Sequence, residues 1–426
     1  MPGLGNRPDI GGGRPSQLPN RTPEQRREGL QDRLANRDQL GDRSRDDWQD
    51  RRDEIREDWQ DRYDDFYDRH EDWHHGCWDG EGSWWNHMWD EHTALMAFGT
   101  TMWGLNRLAY GFGYWGYDNP YYSEPYPLEG GGYIDYSQPI AAETVPAEQP
   151  AETPATAPGA APTPGMADFD AARQAFYQGD YAAALASTNK ALAALPNDPI
   201  IHEFRALVMF AQGKYKESAA GLYSVLSVGP GWDWTTLSSL YPNVDAYTKQ
   251  LRALEATVKQ NPQAADARFV LAYHYLTCGS KDAAAAQYKE LYKATPQDNL
   301  VKELLLLTGG PEAIGAPTTP AETSTAAAPQ IAATDLVGSW SAAGQSGTKF
   351  ELGLAGDGKF SWNYSQNGKS QTVKGVYALD GNVLAMEPES GGTMLAEVTP
   401  PQGGRFDFKL LGAPPGDPGL KFAKVR

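Results

Sequence analysis

His70 and His74 stand four residues apart, with Cys77 close behind, in the stretch HEDWHHGCWDGEGSWWNHMWDEH. Two imidazoles at i and i+4 share one helix face and can chelate a transition metal. Five of the seven histidines lie in this stretch, at 70–92, with several acids beside them. No second well-spaced pair completes a ligand set, so the competing reading is an aromatic-rich turn whose histidines are surface polar groups. No cofactor is expected. The sequence contains no GxSxG nucleophile turn, no phosphate loop with its lysine and no HExxH. The DGEG and GDGK fragments are ordinary turn chemistry. His202 and His274 fall inside helical periodicity, where packing or groove roles suit them better than catalysis. A non-catalytic chain is the expectation.

The bulk composition points the same way. Fifty-five acids against 37 bases give a formal charge of -18, which repels phosphate backbones and argues against nucleic acid as a partner. Cys77 and Cys278 are too few for a disulfide framework or a four-cysteine zinc site. Residues 1–30 lack the apolar run of a signal peptide. Read literally, that start places the chain in the cytoplasm by default. An envelope location follows instead if the true start lies upstream. At 426 residues there is room for two or three domains.

Residues 1–92 are charged and poor in aliphatics, and 93–137 are aromatic and Gly-rich. Within the first region Trp48, Ile55, Trp59, Tyr63, Phe66, His70 and Trp73 form one apolar stripe at helical spacing. WQDR recurs eleven residues apart, at 48–51 and 59–62, a period that favours a slight right-handed supercoil. A helix with one aromatic stripe and no local partner suggests self-association through 46–73, or docking elsewhere. The competing reading is a solvated, partly disordered acidic helix. From Ala94 to Gly116 the chain is long enough to span a bilayer. However, Asn106 and Arg107 fall near its centre, where an arginine costs about 2.5–3.5 kcal/mol. Peripheral attachment to a membrane, or packing against a partner, suits the dense Trp and Tyr better.

Two Pro/Ala/Thr stretches, 138–165 and 310–334, have the composition of linkers that bury no core. They bracket a block at 166–309 with an internal repeat. Gly179 precedes Pro196 by 17 positions, Gly213 precedes Pro230 by 17, and Gly279 precedes Pro296 by 17. Gly179 and Gly213 are 34 apart, and so are Pro262 and Pro296. Small residues (Ala184, Ser218, Ala284) follow each glycine by five positions, and apolar ones (Ala191, Val225, Leu291) by twelve. A small residue lets crossing helices approach, and the glycine permits the turn between them. A third unit between Pro230 and Pro262 is short. Asp245 takes its glycine position, its first helix is squeezed into GWDWTTLSSLYP, and its second reads VDAYTKQLRALEATVKQ. DNLVKELLLLTGG reads as a closing helix with Asp298 as its N-cap and Gly309 past its end.

This block resembles the tetratricopeptide repeat family, whose period is 34 residues with one helix–turn–helix per repeat. The resemblance implies a superhelix whose inner face, lined by the first helix of each unit, holds a peptide. On that geometry Phe169, Arg173, Phe176, Glu203, Leu207, Phe210, Phe269 and Tyr273 lie on the inner side. The competing reading is that several of them fill core between repeats. The Lys/Asn clamp that chaperone-binding members use for a C-terminal carboxylate has no match at these positions.

From Leu336 the periodicity changes to two. Phe350, Leu352 and Leu354 alternate with Lys349, Glu351 and Gly353, and Phe360, Trp362, Tyr364 and Phe406, Phe408, Leu410 do the same. Turn signals AGDGK, QNGK, LDGN, SGG and QGG separate the runs. About eight short strands argue a small antiparallel barrel or sandwich over 335–426. The opening LVGSW and the later GVYALDGNVL loosely resemble lipocalin-like β-barrel domains. The expected whole is a multidomain α + β chain: an acidic, partly disordered, aromatic-rich head, a helical solenoid and a small β domain. Its expected role is a scaffold that binds a protein or peptide partner. The alternative is a ligand-binding or envelope-associated protein in which the β domain and the aromatic segment carry the specific role.

Overall fold

In a computed structural model, the structure describes residues 22–35, 102–128, 132–140, 164–314 and 331–425, apart from short gaps at 230, 233, 345–346, 367, 390–391 and 414–416. The stripe at 46–73 and the His70, His74, Cys77 group lie outside the described residues. Helix α1 is Pro23–Ala35 and helix α2 is Met102–Gly111. Two short strands, β1 (Tyr126–Pro127) and β2 (Tyr133–Ile134), pair antiparallel after α2.

The repeat block is helical throughout: α3 (Met166–Tyr177), α4 (Tyr181–Ala194), α5 (Pro199–Ala211), α6 (Tyr215–Leu226), α7 (Trp234–Ser239), α8 (Val244–Gln260), α9 (Ala265–Thr277), α10 (Lys281–Ala294) and α11 (Asn299–Gly309). Its turns follow the spacing of the glycines. Gly179, Gly213 and Gly279 carry φ of 80°, 72° and 76°, a left-handed conformation that glycine adopts without steric cost. The small residues five positions on, Ala184, Ser218 and Ala284, are fully buried where paired helices cross. Helix starts are capped by side chains: Asp180 accepts from the Ala183 amide, Asp198 from Ile200 and Ile201, and Asp298 from Val301. The closing helix runs through Gly309, and Gly310 at φ 68° terminates it.

The third unit breaks the regular stack. Helix α9 packs directly on α6, as α5 packs on α4, and also meets α8. The irregular stretch 231–243 and helix α8 are therefore free to fold over the ends of neighbouring helices. Asn243 caps α8, and Asp245, which takes the glycine position of the repeat, lies in its first turn.

After a short helix α12 (Ala333–Leu336) come eight strands: β3 (Gly338–Ala343), β4 (Lys349–Leu354), β5 (Lys359–Gln366), β6 (Lys369–Asp380), β7 (Val383–Pro388), β8 (Met394–Val398), β9 (Arg405–Leu410) and β10 (Leu420–Lys424). Each pairs antiparallel with its sequence neighbours, and β10 closes on β3, giving a barrel rather than a sandwich. The alternating residues fill the interior: Phe350, Trp362, Phe408 and Phe422 are almost completely buried and meet edge-on or tilted. Strand β7 departs from alternation because α1 covers its outer face. Leu30 and Leu34 pack there on Ala378, Val383, Ala385 and Leu395, and Arg26 Nε meets Glu387 Oε1 at 2.9 Å.

Candidate functional site

The eight inner-face residues are placed as follows. Phe169 and Phe176 meet Phe204 edge-on inside the stack. Phe269, also fully buried, lies against Tyr121, Tyr223 and Tyr288. Leu207 is buried, and Phe210 stacks at 3.9 Å on the ring of His274. Arg173 is half-buried on α3, 3.7 Å from Asp170. Glu203 and Tyr273 meet directly: the Tyr273 hydroxyl donates to Glu203 Oε1 at 2.6 Å, and the Trp232 amide donates to the same oxygen at 2.8 Å. Burial raises the Glu203 pKa to about 8, against the lowering effect of those two donors. The buried carboxyl therefore holds its proton to a higher pH than a free glutamate does.

Much of this face is covered from within the chain. Tyr241 lies edge-on to Phe176 with ring centres 5.0 Å apart, and Tyr247 sits against Phe210, Trp234 and His274. Gly231 passes so close to Tyr273 that an added Cβ would fall 2.7 Å from its ring. The third unit thus fills with its own residues the space that a regular first helix would leave open. Burial also depresses the histidines, His202 to about 4 and His274 to about 3, so both are neutral.

A second covering comes from the aromatic segment. An α-helix ends with carbonyls that lack intrahelical donors, and at the end of α6 helix α2 supplies them. Trp103 Nε1 donates to Leu226 O at 3.0 Å, Asn106 Nδ2 to Ser227 O at 3.1 Å and Arg107 Nε to Val228 O at 2.8 Å. Asn106 Nδ2 also donates to Glu303 Oε2 at 2.9 Å. Beyond α2 the chain runs along α6. Asn119 Nδ2 donates to Ala220 O at 2.9 Å while its Oδ1 accepts from the Tyr121 amide at 3.1 Å. Ser224 Oγ donates to Gln138 O at 2.6 Å, and the Ile140 amide donates to Ser224 O at 3.2 Å. The Tyr136 ring is fully buried and its hydroxyl lies 3.1 Å from His202 Nδ1. Since His202 Nε2 faces the Pro196 carbonyl at 2.8 Å, Nε2 carries the proton and Nδ1 accepts from Tyr136. The Arg205 guanidinium sits 4.6 Å over the Tyr126 ring, a cation–π contact.

Residues 169–227 and 251–299 match the tetratricopeptide repeat family. The helical block is a tetratricopeptide repeat array. The unmatched interval between the two stretches holds α7 and the start of α8, where the third unit is irregular. No curated protein matches the chain.

The same segment reaches the barrel, by different chemistry. Leu105, Ala109 and Phe112 join the barrel core, and Phe112 stacks on Phe360 and lies edge-on to Trp362. Trp362 Nε1 donates to Phe112 O at 2.8 Å deep in that core. Gly113 follows at φ 63°, where any Cβ would run into the Tyr364 ring, so glycine is required twice over. Among the described residues no helix is long and apolar enough to cross a membrane. Trp103, Tyr114, Trp115 and Tyr121 are instead buried within the protein. Sequence reasoning assigned this segment a membrane surface or a partner; the density of Tyr and Trp was the signal, and the partner found is the chain's own array and barrel.

Proposed function

We propose that this protein is a non-catalytic scaffold whose tetratricopeptide repeat array binds a protein or peptide partner. One observation carries the reading: the array already holds an irregular stretch of chain, 117–140, through contacts of the kind that hold peptides. Asn119 bonds the backbone of α6 and Ser224 bonds the backbone of the segment, while tyrosine rings occupy buried positions. The buried titratable groups support it too. Glu203 is bonded to Tyr273 and the Trp232 amide, Glu303 to Asn106, and His202 to Tyr136 and Pro196. Each is committed to holding the fold or the segment. The barrel interior is filled by its own aromatic side chains, with Phe112 stacked on Phe360, which does not favour a ligand-carrying role.

We place the first contact with a partner on helix α3, around Arg173 and the exposed Tyr177. The test is site-specific photo-cross-linking in cells, with the reactive residue at exposed Tyr177 or Val244 on the array, or Val425 on the barrel. The scaffold reading expects a discrete protein adduct from the array positions. Adducts from Val425 alone would move the role to the barrel.

A further inference from the structure

Resting on the scaffold reading, we propose that the strip formed by His202, Arg205, Ala220, Tyr223, Ser224 and Phe269 is a peptide-recognition surface. It takes a peptide that folds back on itself, with a carboxamide at the Asn119 position and tyrosines at the Tyr121 and Tyr136 positions, and residues 117–140 are its occupant in cis. The ligand chemistry is read from that occupant. Tyr121 packs against Tyr223 and Phe269 with ring centres 5.9 and 5.1 Å away, and Tyr136 gives its hydroxyl to His202. The Asn119 amide bridges Ala220 O and Tyr136 O, tying the two ends of the segment together on the array.

The strip is built without the segment's help. Arg205 Nε donates to Asn189 Oδ1 at 3.2 Å, His202 Nε2 to Pro196 O at 2.8 Å and the Tyr223 hydroxyl to Asp298 Oδ1 at 2.9 Å. All three partners belong to the array. Those bonds hold the recognising side chains from the array side, and pre-organisation of this kind lowers the entropic cost of binding a peptide. The segment in turn has little regular structure of its own beyond the two-residue pair β1–β2. Residues 141–163, rich in Pro, Ala and Thr, join it to the array. A bound peptide of the same chemistry would therefore replace it rather than add to it.

The experiment uses the full chain and a fluorescein-labelled synthetic peptide of residues 116–140, read by fluorescence anisotropy. A tethered segment competes at an effective concentration of about millimolar. Binding to the wild-type chain is therefore expected to be at least about tenfold weaker than to the chain carrying Asn119→Ala and Tyr136→Ala. The same peptide with those two substitutions should bind neither. Equal binding to both chains, binding to neither, or indifference to the peptide's substitutions would overturn the proposal. If the double variant loses its helical circular dichroism, the wild-type chain with isotope-labelled tyrosine replaces it. Excess unlabelled peptide should then shift the ring signals of Tyr121 and Tyr136, and unchanged signals would overturn the proposal. Failure here with array cross-links intact would leave the scaffold reading standing; loss of both would remove it.

Discussion

The array and the barrel receive the same stretch of chain with different balances of polar and apolar contact, although Tyr121 and Tyr136 are buried on the array too and Trp362 Nε1 bonds Phe112 O in the barrel. On the array, Asn119 and Tyr136 make directed polar bonds to carbonyls and to a histidine nitrogen. In the barrel, Phe112 is an apolar plug stacked on Phe360 beside Trp362. Apolar burial of a large ring contributes several kcal/mol and leaves nothing outside to replace it, whereas each hydrogen bond contributes only about 0.5–1.5 kcal/mol net. A contact made of such bonds can be exchanged for an equivalent one; a buried plug cannot. On the proposed reading, the barrel end is the anchor and the array end is the exchangeable contact.

The comparison is sharpest in stability. Phe112→Ala should cost about 3–5 kcal/mol, the usual range for emptying a buried phenylalanine site. Thermal melting followed by near-UV circular dichroism of the barrel tryptophans would show it, and a change under about 1 kcal/mol would mean the plug is not part of the core.

The next effect is on pH dependence. Burial raises Glu303 to about 8, with Asn106 and Lys302 lowering it and Asp298 raising it. The folded chain keeps that proton where the unfolded chain has lost it. Its contribution is therefore full below about 4.5 and declines as pH rises through 8. Glu203 acts in the same sense. His202 and His274, depressed to about 4 and 3, act in the other, losing stability as pH falls below about 6.5. Glu303→Gln removes an ionisation and should flatten the decline in melting temperature between pH 5 and 8. An unchanged slope would show that Glu303 is ionised in the folded protein.

Smaller effects fall on the array end. Asn119→Ala removes the bridge between Ala220 O and Tyr136 O and should cost about 1–2 kcal/mol. That loss should appear as exposure of 117–140 to protease while the barrel melts as before. Ser224→Ala, which removes one bond to Gln138 O, should cost no more than about 1 kcal/mol. If either substitution lowers the barrel transition as much as Phe112→Ala does, the two ends are one cooperative unit.

How far the sequence carried differs between the two regions. The 17-residue Gly-to-Pro spacing located three turns, and Gly179, Gly213 and Gly279 occupy them at positive φ, because that backbone conformation selects its residue locally. Period-two alternation was equally local in KFELGL and RFDFKL, whose buried residues alternate along β4 and β9. The cover that α1 gives to the outer face of β7 was not legible, because the run VLAM does not name the element that packs on it. Barrel closure depended on the pairing of β10 with β3, which no single strand encodes. The surroundings of Glu203, Phe210 and Tyr273 were not legible for a related reason. Family geometry put them on an inner face, but the short third unit lets Trp232, Tyr241 and Tyr247 fold over that face. The partner of the aromatic segment was hidden because many of its bonds go to backbone carbonyls, which carry no sequence signature.

On the proposed reading, one segment is anchored at the barrel and exchangeable on the array. Amide hydrogen exchange resolved along 102–140 tests it most directly, since local opening free energies range from near zero to the global value. The account predicts that 117–140 exchanges through local opening, faster than 105–115 by at least about tenfold and well before α5, α6 and α9. Exchange of the whole stretch in step with those helices, as one cooperative event, would contradict it.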